Sequence, residues 1–193
     1  CLPERSGNEA DIDALCDWVY PELIVDDPTP AQSARQLELA SDAAWLGERA
    51  ILTPLNTTVD ELNLKFTDSF PGDAVECLSA DAVAADSIGY ADTEFLNTLN
   101  PPGFPAYRLL LKEKMPLMLL RNIDPTQGLC NGTRLILEKV INGRLLKCTI
   151  ATGHSKFIGH VVFLPRITLD PDAETYPFNW SRRQFPVRPA FAM

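Results

Sequence analysis

The chain has 193 residues, 46% hydrophobic and 22% charged, enough to bury a core in one domain or in one domain with an inserted module. No run approaches the ~20 consecutive apolar residues that span a bilayer, and the first residues lack the charged-then-apolar layout of a signal peptide, so membrane insertion and secretion are disfavoured. The net charge of −9 is unevenly divided: residues 1–100 hold 4 Lys+Arg against 20 Asp+Glu (−16), and residues 101–193 hold 13 against 6 (+7). If a polyanion is bound, the second half should bind it; the acidic half reads either as a partner-binding surface or as a solubilising one.

Residues 9–23 place Ile12, Leu15, Cys16, Val19 and Leu23 on one helical face, with Pro21 as breaker. A loop at 26–30 leads to a second helix over 34–46, and residues 49–53 read as a short buried strand before Pro54. Residues 56–63 then start a helix, with Asn56 as its polar cap and Val59, Leu62 and Phe66 on one face. Strand, tight turn and helix in that order make half of a βαβ unit.

A strand is expected over 75–80, a loop over 81–92 and a short helix over 93–99, before the breaker-rich Asn100-Pro-Pro-Gly-Phe-Pro105. The pattern then changes to short apolar or alternating runs at 108–112, 116–120, 133–141, 145–151 and 158–164, with Asn142-Gly143 as a hairpin signal. Closely spaced antiparallel strands argue for a small β-barrel. The tail, residues 184–193, begins another apolar strand and stops without a cap or turn, so the chain is expected to be cut there.

The five cysteines and two histidines show neither zinc spacing nor a disulfide framework, and read as reduced intracellular thiols and histidines without a catalytic triad. The sequons at Asn56, Asn131 and Asn179 read as chance occurrences. Met115, Met118 and the leucines beside them read as core.

The run Leu119-Leu-Arg-Asn-Ile-Asp-Pro-Thr-Gln-Gly-Leu-Cys-Asn-Gly-Thr133 carries a resemblance to a known family. With it go Met115-Pro-Leu-Met118, Arg134, Ala50-Ile-Leu-Thr-Pro-Leu-Asn56, Asp60-Glu-Leu-Asn63, Leu78-Ser-Ala-Asp81, Thr93-Glu-Phe-Leu-Asn97, Phe163-Leu-Pro-Arg-Ile167, Pro177-Phe178 and Arg182-Arg-Gln-Phe-Pro-Val187. Over about residues 10–193 the sequence resembles the superfamily 1B DNA helicases related to the petite-integration-frequency helicase, particularly the group that includes Helitron-transposon helicases.

The resemblance implies an α/β fold: part of a second RecA-like, P-loop NTPase-type parallel-sheet domain (2A) over 1–107, an inserted small SH3-like β-barrel (domain 2B) over 108–165, and a return to the RecA-like domain over 166–193. It implies a 5′-to-3′ motor acting in DNA repair, recombination, replication, telomere maintenance or Helitron transposition, in the nucleus or in mitochondria. Single-stranded and forked DNA and the first RecA-like domain would be its partners, and ATP with Mg2+ its cofactors in the full-length enzyme. No Gly-x-x-x-x-Gly-Lys-Ser/Thr phosphate loop occurs in the sequence, so this chain alone is expected to bind no nucleotide and to be inactive. The alternatives are a stand-alone single-strand-binding module and an inactive mobile-element remnant. Relatives usually carry Gly where Lys114 stands and Leu where Pro189 stands; Pro189 removes a donor from what should be an interior strand.

No catalytic residue or metal ligand is expected. The candidate DNA contacts are Lys112, Arg121, Asn122, Asn131, Thr133, Arg134, Lys147, Arg182 and Arg183. Arg121 and Asn122 sit at a strand end, placed either to grip phosphate or base edges or to cap the turn Asp124-Pro-Thr. Asn131-Gly-Thr133 presents main-chain N–H groups to a phosphate or forms a tight turn. Lys112, Lys114, Arg134, Lys139, Arg144 and Lys147 give the barrel its charge, and Tyr107 and Phe157 are the nearby stacking candidates. Arg182 and Arg183 reach DNA or anchor the barrel.

Overall fold

The computed structural model describes residues 9–23, 25, 28–84, 87, 91–172 and 175–193. The predicted loops at 26–30 and 81–92 lie partly outside these residues. Helix α1 (Glu9–Val19) ends ahead of Pro21, which has no N–H to continue it. Cys16, Tyr20 and Leu23 are buried, whereas Ile12, expected on the inner face, is exposed.

Helix α2 (Pro30–Ser41) opens with a capping box in which Thr29 and Gln32 bond each other's main chain, and with Pro at the first turn. The single helix expected over 34–46 is in fact two. Asp42 leaves the helical region and accepts from Trp45 N at 2.9 Å, starting α3 (Ala43–Gly47) at a new angle.

Helix α4 (Asn56–Ser69) buries Val59, Leu62 and Phe66 as its spacing predicts, and also Asn63 and Thr67. Asn56 is not its cap. Leu55 holds the extended N-cap position with no side-chain bond, and Asn56 is the first helical residue. Before it, Ile51 pairs in parallel with Ala192, through Ile51 N to Phe191 O at 2.9 Å and Met193 N to Ile51 O at 2.9 Å. Among the described residues this is where a parallel ladder begins; the named strands pair antiparallel.

Three sheets follow. Strands β1 (Val75–Leu78) and β3 (Arg108–Leu111) form a ribbon. A second sheet has the order β2 (Ala80–Val83), β9 (Trp180–Gln184), β8 (Ile167–Leu169), with the short helix α5 (Thr93–Thr98) packed on β2. The third runs β10 (Val187–Pro189), β4 (Pro116–Leu119), β5 (Arg134–Ile141), β6 (Leu145–Ile150), β7 (Val161–Pro165). Two expectations shift. β2 occupies the start of the predicted loop at 81–92, and the strand expected over 158–164 begins only at Val161, because 155–159 form a turn.

Asn142 and Gly143 both have positive φ (50° and 63°) and close the β5–β6 hairpin. Lys114 also has positive φ, 73°, a conformation that costs a non-glycine residue about 1–2 kcal/mol. Among the described strands β10, which carries Pro189, is the outermost of its sheet, a position where a missing donor is tolerated.

One hydrophobic cluster joins the helices to the large sheet. Phe66 stacks on Phe191 with ring centroids 5.0 Å apart, and Tyr20 meets Phe66 edge-on at 4.9 Å. Polar groups finish this core. Asn63 Oδ1 accepts from Phe191 N and Ala192 N, both at 3.0 Å, while its Nδ2 donates to Ala192 O at 2.9 Å. Tyr20 donates to Arg49 O at 2.8 Å, and burial pushes its phenol up to about 12. On the sheet side Leu117, Leu135, Leu137, Leu146, Cys148 and Leu164 are fully buried, and no described helix is long and apolar enough to cross a membrane.

Candidate nucleic-acid interface

The run 119–133 folds back on itself between β4 and β5. Leu119 N donates to Thr133 O at 2.9 Å and Gly132 N to Leu119 O at 2.8 Å, closing its neck. Inside it, Asp124 caps a 3-10 turn (Pro125–Gln127) by accepting from Thr126 N at 3.0 Å, and Gly128 leaves that turn at φ 79°. A Cβ at Gly128 would meet the Phe157 ring at 2.7 Å, so glycine is required there for space as well as for conformation.

This folding decides what the candidates in the run can offer. The exposed Asn122 accepts from Asn131 N at 2.8 Å, Thr133 N donates to Cys130 O at 3.0 Å, and Gly132 N is used at the neck. The three N–H groups of Asn131-Gly-Thr133 are therefore already bonded, and the segment is a tight turn. Thr133 is buried, with Oγ1 donating to Gly128 O at 3.0 Å. Arg121 donates to Gly103 O at 2.9 Å and lies over the Phe104 ring, 5.2 Å from its centroid, with part of its side chain open to solvent.

Two candidate arginines are inside the protein. Arg134 is 5% exposed and donates to Gly47 O at 2.8 Å, Leu46 O at 3.1 Å and Ala190 O at 3.1 Å. It thus binds the C-terminal carbonyls of α3, the negative end of that helix, to the strand end that meets Ile51. Burial lowers its affinity for a proton, opposed by nearby Tyr20. Arg182 is 0% exposed, pairs with the equally buried Asp81 at 2.7 Å, and donates to Leu96 O, Leu99 O and Pro105 O. It holds the end of α5 against β2. Neither guanidinium faces solvent.

Lys112 donates to Asp68 O at 2.9 Å and Phe70 O at 2.6 Å, closing the C-terminus of α4, and partial burial lowers its pKa. Arg183 and Lys147 lie on open strand faces. Arg183 is exposed on β9 opposite Ala80 and Thr168, and Lys147 stands on β6 directly opposite Lys139 of β5. The structure thus separates the candidates into buried fasteners (Thr133, Arg134, Arg182), a helix cap (Lys112), a loop junction (Arg121, Asn122, Asn131) and cations on open strand faces (Lys147, Arg183).

The family model described as "DNA helicase Pif1, 2B domain" matches residues 94–140, from α5 through β5. No curated protein matches. Among solved structures, Pif1 helicase from Candida albicans superposes with a TM-score of 0.54 at 19% identity, covering 97% of this chain and 44% of that one. Unliganded Pif1 from Bacteroides sp gives 0.52 at 16%, covering 80% and 43%, and Bacteroides sp Pif1 in complex with ADP-AlF4 gives 0.51 at 15%, covering 98% and 40%. The chain spans less than half the length of these solved chains. The chain thus carries a match to the Pif1 2B domain in its middle and has a fold similar to that of Pif1 helicases across most of its length.

Proposed function

We propose that this chain serves as part of an ATP-dependent 5′-to-3′ DNA helicase and contributes single-strand binding to it through its basic half. The observation that carries this reading is the 2B-domain match at 94–140, set within a chain whose fold follows Pif1. Relatives of the same fold have been solved with ADP-AlF3 and ssDNA and in work on unwinding at forked dsDNA, which supports nucleotide and DNA as the ligands of the whole enzyme. The +7 charge of residues 101–193 fits a polyanion, and the acidic first half fits a protein neighbour better. ATP and Mg2+ would be held by the first RecA-like domain, because the sequence here contains no phosphate loop. The processes such an enzyme would serve are repair, recombination, replication, telomere maintenance or Helitron transposition, in the nucleus or mitochondria.

The test is strand separation by the natural protein that carries these residues, using forked substrates with only a 5′ or only a 3′ single-stranded tail. ATP-dependent separation of the 5′-tailed substrate is expected. Separation of neither substrate, with ATP hydrolysis unmoved by DNA, contradicts the reading.

A further inference from the structure

The open face of the large sheet carries a row of three side chains set by register. Lys139 on β5 lies directly opposite Lys147 on β6, and Lys147 lies directly opposite Phe163 on β7. Directly opposed residues point to the same side of a sheet, and strands are about 4.8 Å apart, so the row spans roughly 10 Å. That side is the outer one: Leu146, Cys148, Val162 and Leu164, which alternate with the row, are buried, whereas Phe163 is 53% exposed and its face-mate Val161 50%.

A β-bulge puts Lys139 there. Register runs Leu137↔Cys148 and then Lys139↔Lys147, leaving Glu138 as the extra residue. In an unbroken strand Lys139 would share the inward side of Leu137; the bulge turns it outward beside Lys147. Like charges directly opposed across a ladder destabilise it. Glu138 lies close enough to Lys147 to interact with it electrostatically, but its carboxylate is bonded by Lys114 and by Thr149 Oγ1 at 3.2 Å, and Lys139 is left facing Lys147. Neither Lys139 nor Lys147 has a salt-bridge partner among the described residues. The fold thus builds two adjacent ammonium groups next to an exposed phenyl ring.

We propose that the Lys139–Lys147–Phe163 row is a binding platform for a single strand of nucleic acid, with the two ammonium groups on consecutive phosphates and Phe163 stacking an unpaired base. The phenyl ring selects the occupant. A duplex buries its base faces, so only an unpaired base can lie on Phe163, while the lysine pair requires a polyanion. This deepens the helicase reading, on which it rests, by locating a contact outside the 119–133 run.

The test uses the whole 193-residue chain and a fluorescent oligo-dT with one 5-iodouracil, read by anisotropy and by mass spectrometry after photocrosslinking. A crosslink on Phe163 is expected, competed by unlabelled oligo-dT. Phe163→Ala should weaken binding roughly 5- to 100-fold, the range that one lost base stack gives. Lys139→Ala and Lys147→Ala should each reduce the salt slope by about 0.7. The thermal midpoint should hold or rise for Lys139→Ala, which removes a like-charge contact, and should hold for Lys147→Ala, where loss of that contact offsets loss of the attraction to Glu138, which keeps weakened binding separate from unfolding. The same three substitutions should leave any weak duplex binding without the Phe163 effect. Parent-like affinity in all three variants, or crosslinks confined to the 119–133 run, overturns the platform and leaves the helicase reading standing. Failure of the parent chain to bind at low salt also overturns the platform, whereas the helicase reading is decided by the tailed-fork assay.

Discussion

Arg134 and Arg182 are 5% and 0% exposed and surrounded by main-chain carbonyls, whereas Lys139 and Lys147 face each other on an open sheet. All four belong to the basic half of the chain, and net charge alone treats them alike. Their chemistry separates them. Guanidinium spreads its charge over five donors in a plane and is weakly hydrated, so it can be buried among several carbonyls; a compact ammonium is strongly hydrated and stays at the surface. Of the 13 cations in that half, Arg134 and Arg182 are buried and Lys112 caps α4, so the working interface is smaller than the sequence count implies.

The largest expected effect comes from breaking the fastener that has a counter-charge. Arg182→Ala leaves Asp81 without its counter-charge in a site with no exposure and should cost about 3–5 kcal/mol in urea unfolding, with Asp81→Ala costing nearly as much. Equal stability of either variant and the parent would show that the pair is not integral to the core. Arg134 sharpens the comparison, because among the described residues it has no carboxylate partner and its Nε is buried without a bond. Arg134→Met removes three hydrogen bonds but also a desolvated charge, so the net loss should be nearer 1–2 kcal/mol. A loss as large as that for Arg182 would contradict the distinction between a paired and an unpaired buried cation.

Smaller still is Lys114→Gly. Relief of the positive φ should outweigh the loss of a partly exposed ion pair to Glu138 and raise stability by up to about 1 kcal/mol. Destabilisation would show that the ion pair governs that corner. The smallest effect concerns pH. Burial opposes ionisation of Glu138, but Lys114, Thr149 and Lys147 outweigh it and hold the carboxyl below its ordinary value. Its contribution is therefore complete above the unfolded-state carboxylate range and is lost as pH falls through the depressed folded value. Glu138→Gln should flatten stability between about pH 5 and 3, and an unchanged acid limb would sink the assignment.

What the sequence reveals of this fold is unequal for physical reasons. Helix α4, helix α5 and the strands at 108–111, 116–119, 134–141 and 145–150 follow from periodicity and breakers, because their inner faces repeat at the period of the element. The Asn142-Gly143 hairpin follows from its need for positive φ. Three features were hidden. Asn63 reads as one more polar residue of a helix, and its partners at 191–192 are nearly 130 positions away. Arg134 reads as one of several spaced cations, and only the fold brings α3 beneath it. Val161-Val-Phe-Leu-Pro165 is apolar in both phases of a strand, so alternation cannot say that Phe163 faces out, and the bulge at Glu138 reverses the phase that would place Lys139. The residues of the family-like run were visible, but their mutual hydrogen bonds, which spend the N–H groups of Asn131-Gly-Thr133, depend on a closed loop that spacing does not encode.

On the proposed function, the chain meets single-stranded DNA with a limited set of surface cations while its buried arginines hold the fold. The salt dependence of oligonucleotide binding tests it most directly, comparing the chain with Lys139→Ala/Lys147→Ala and with Arg134→Met. The prediction is a log–log slope that falls by about 1.4 in the double variant and stays at the parent value for Arg134→Met. A slope unchanged by loss of both lysines but reduced by Arg134→Met would contradict it.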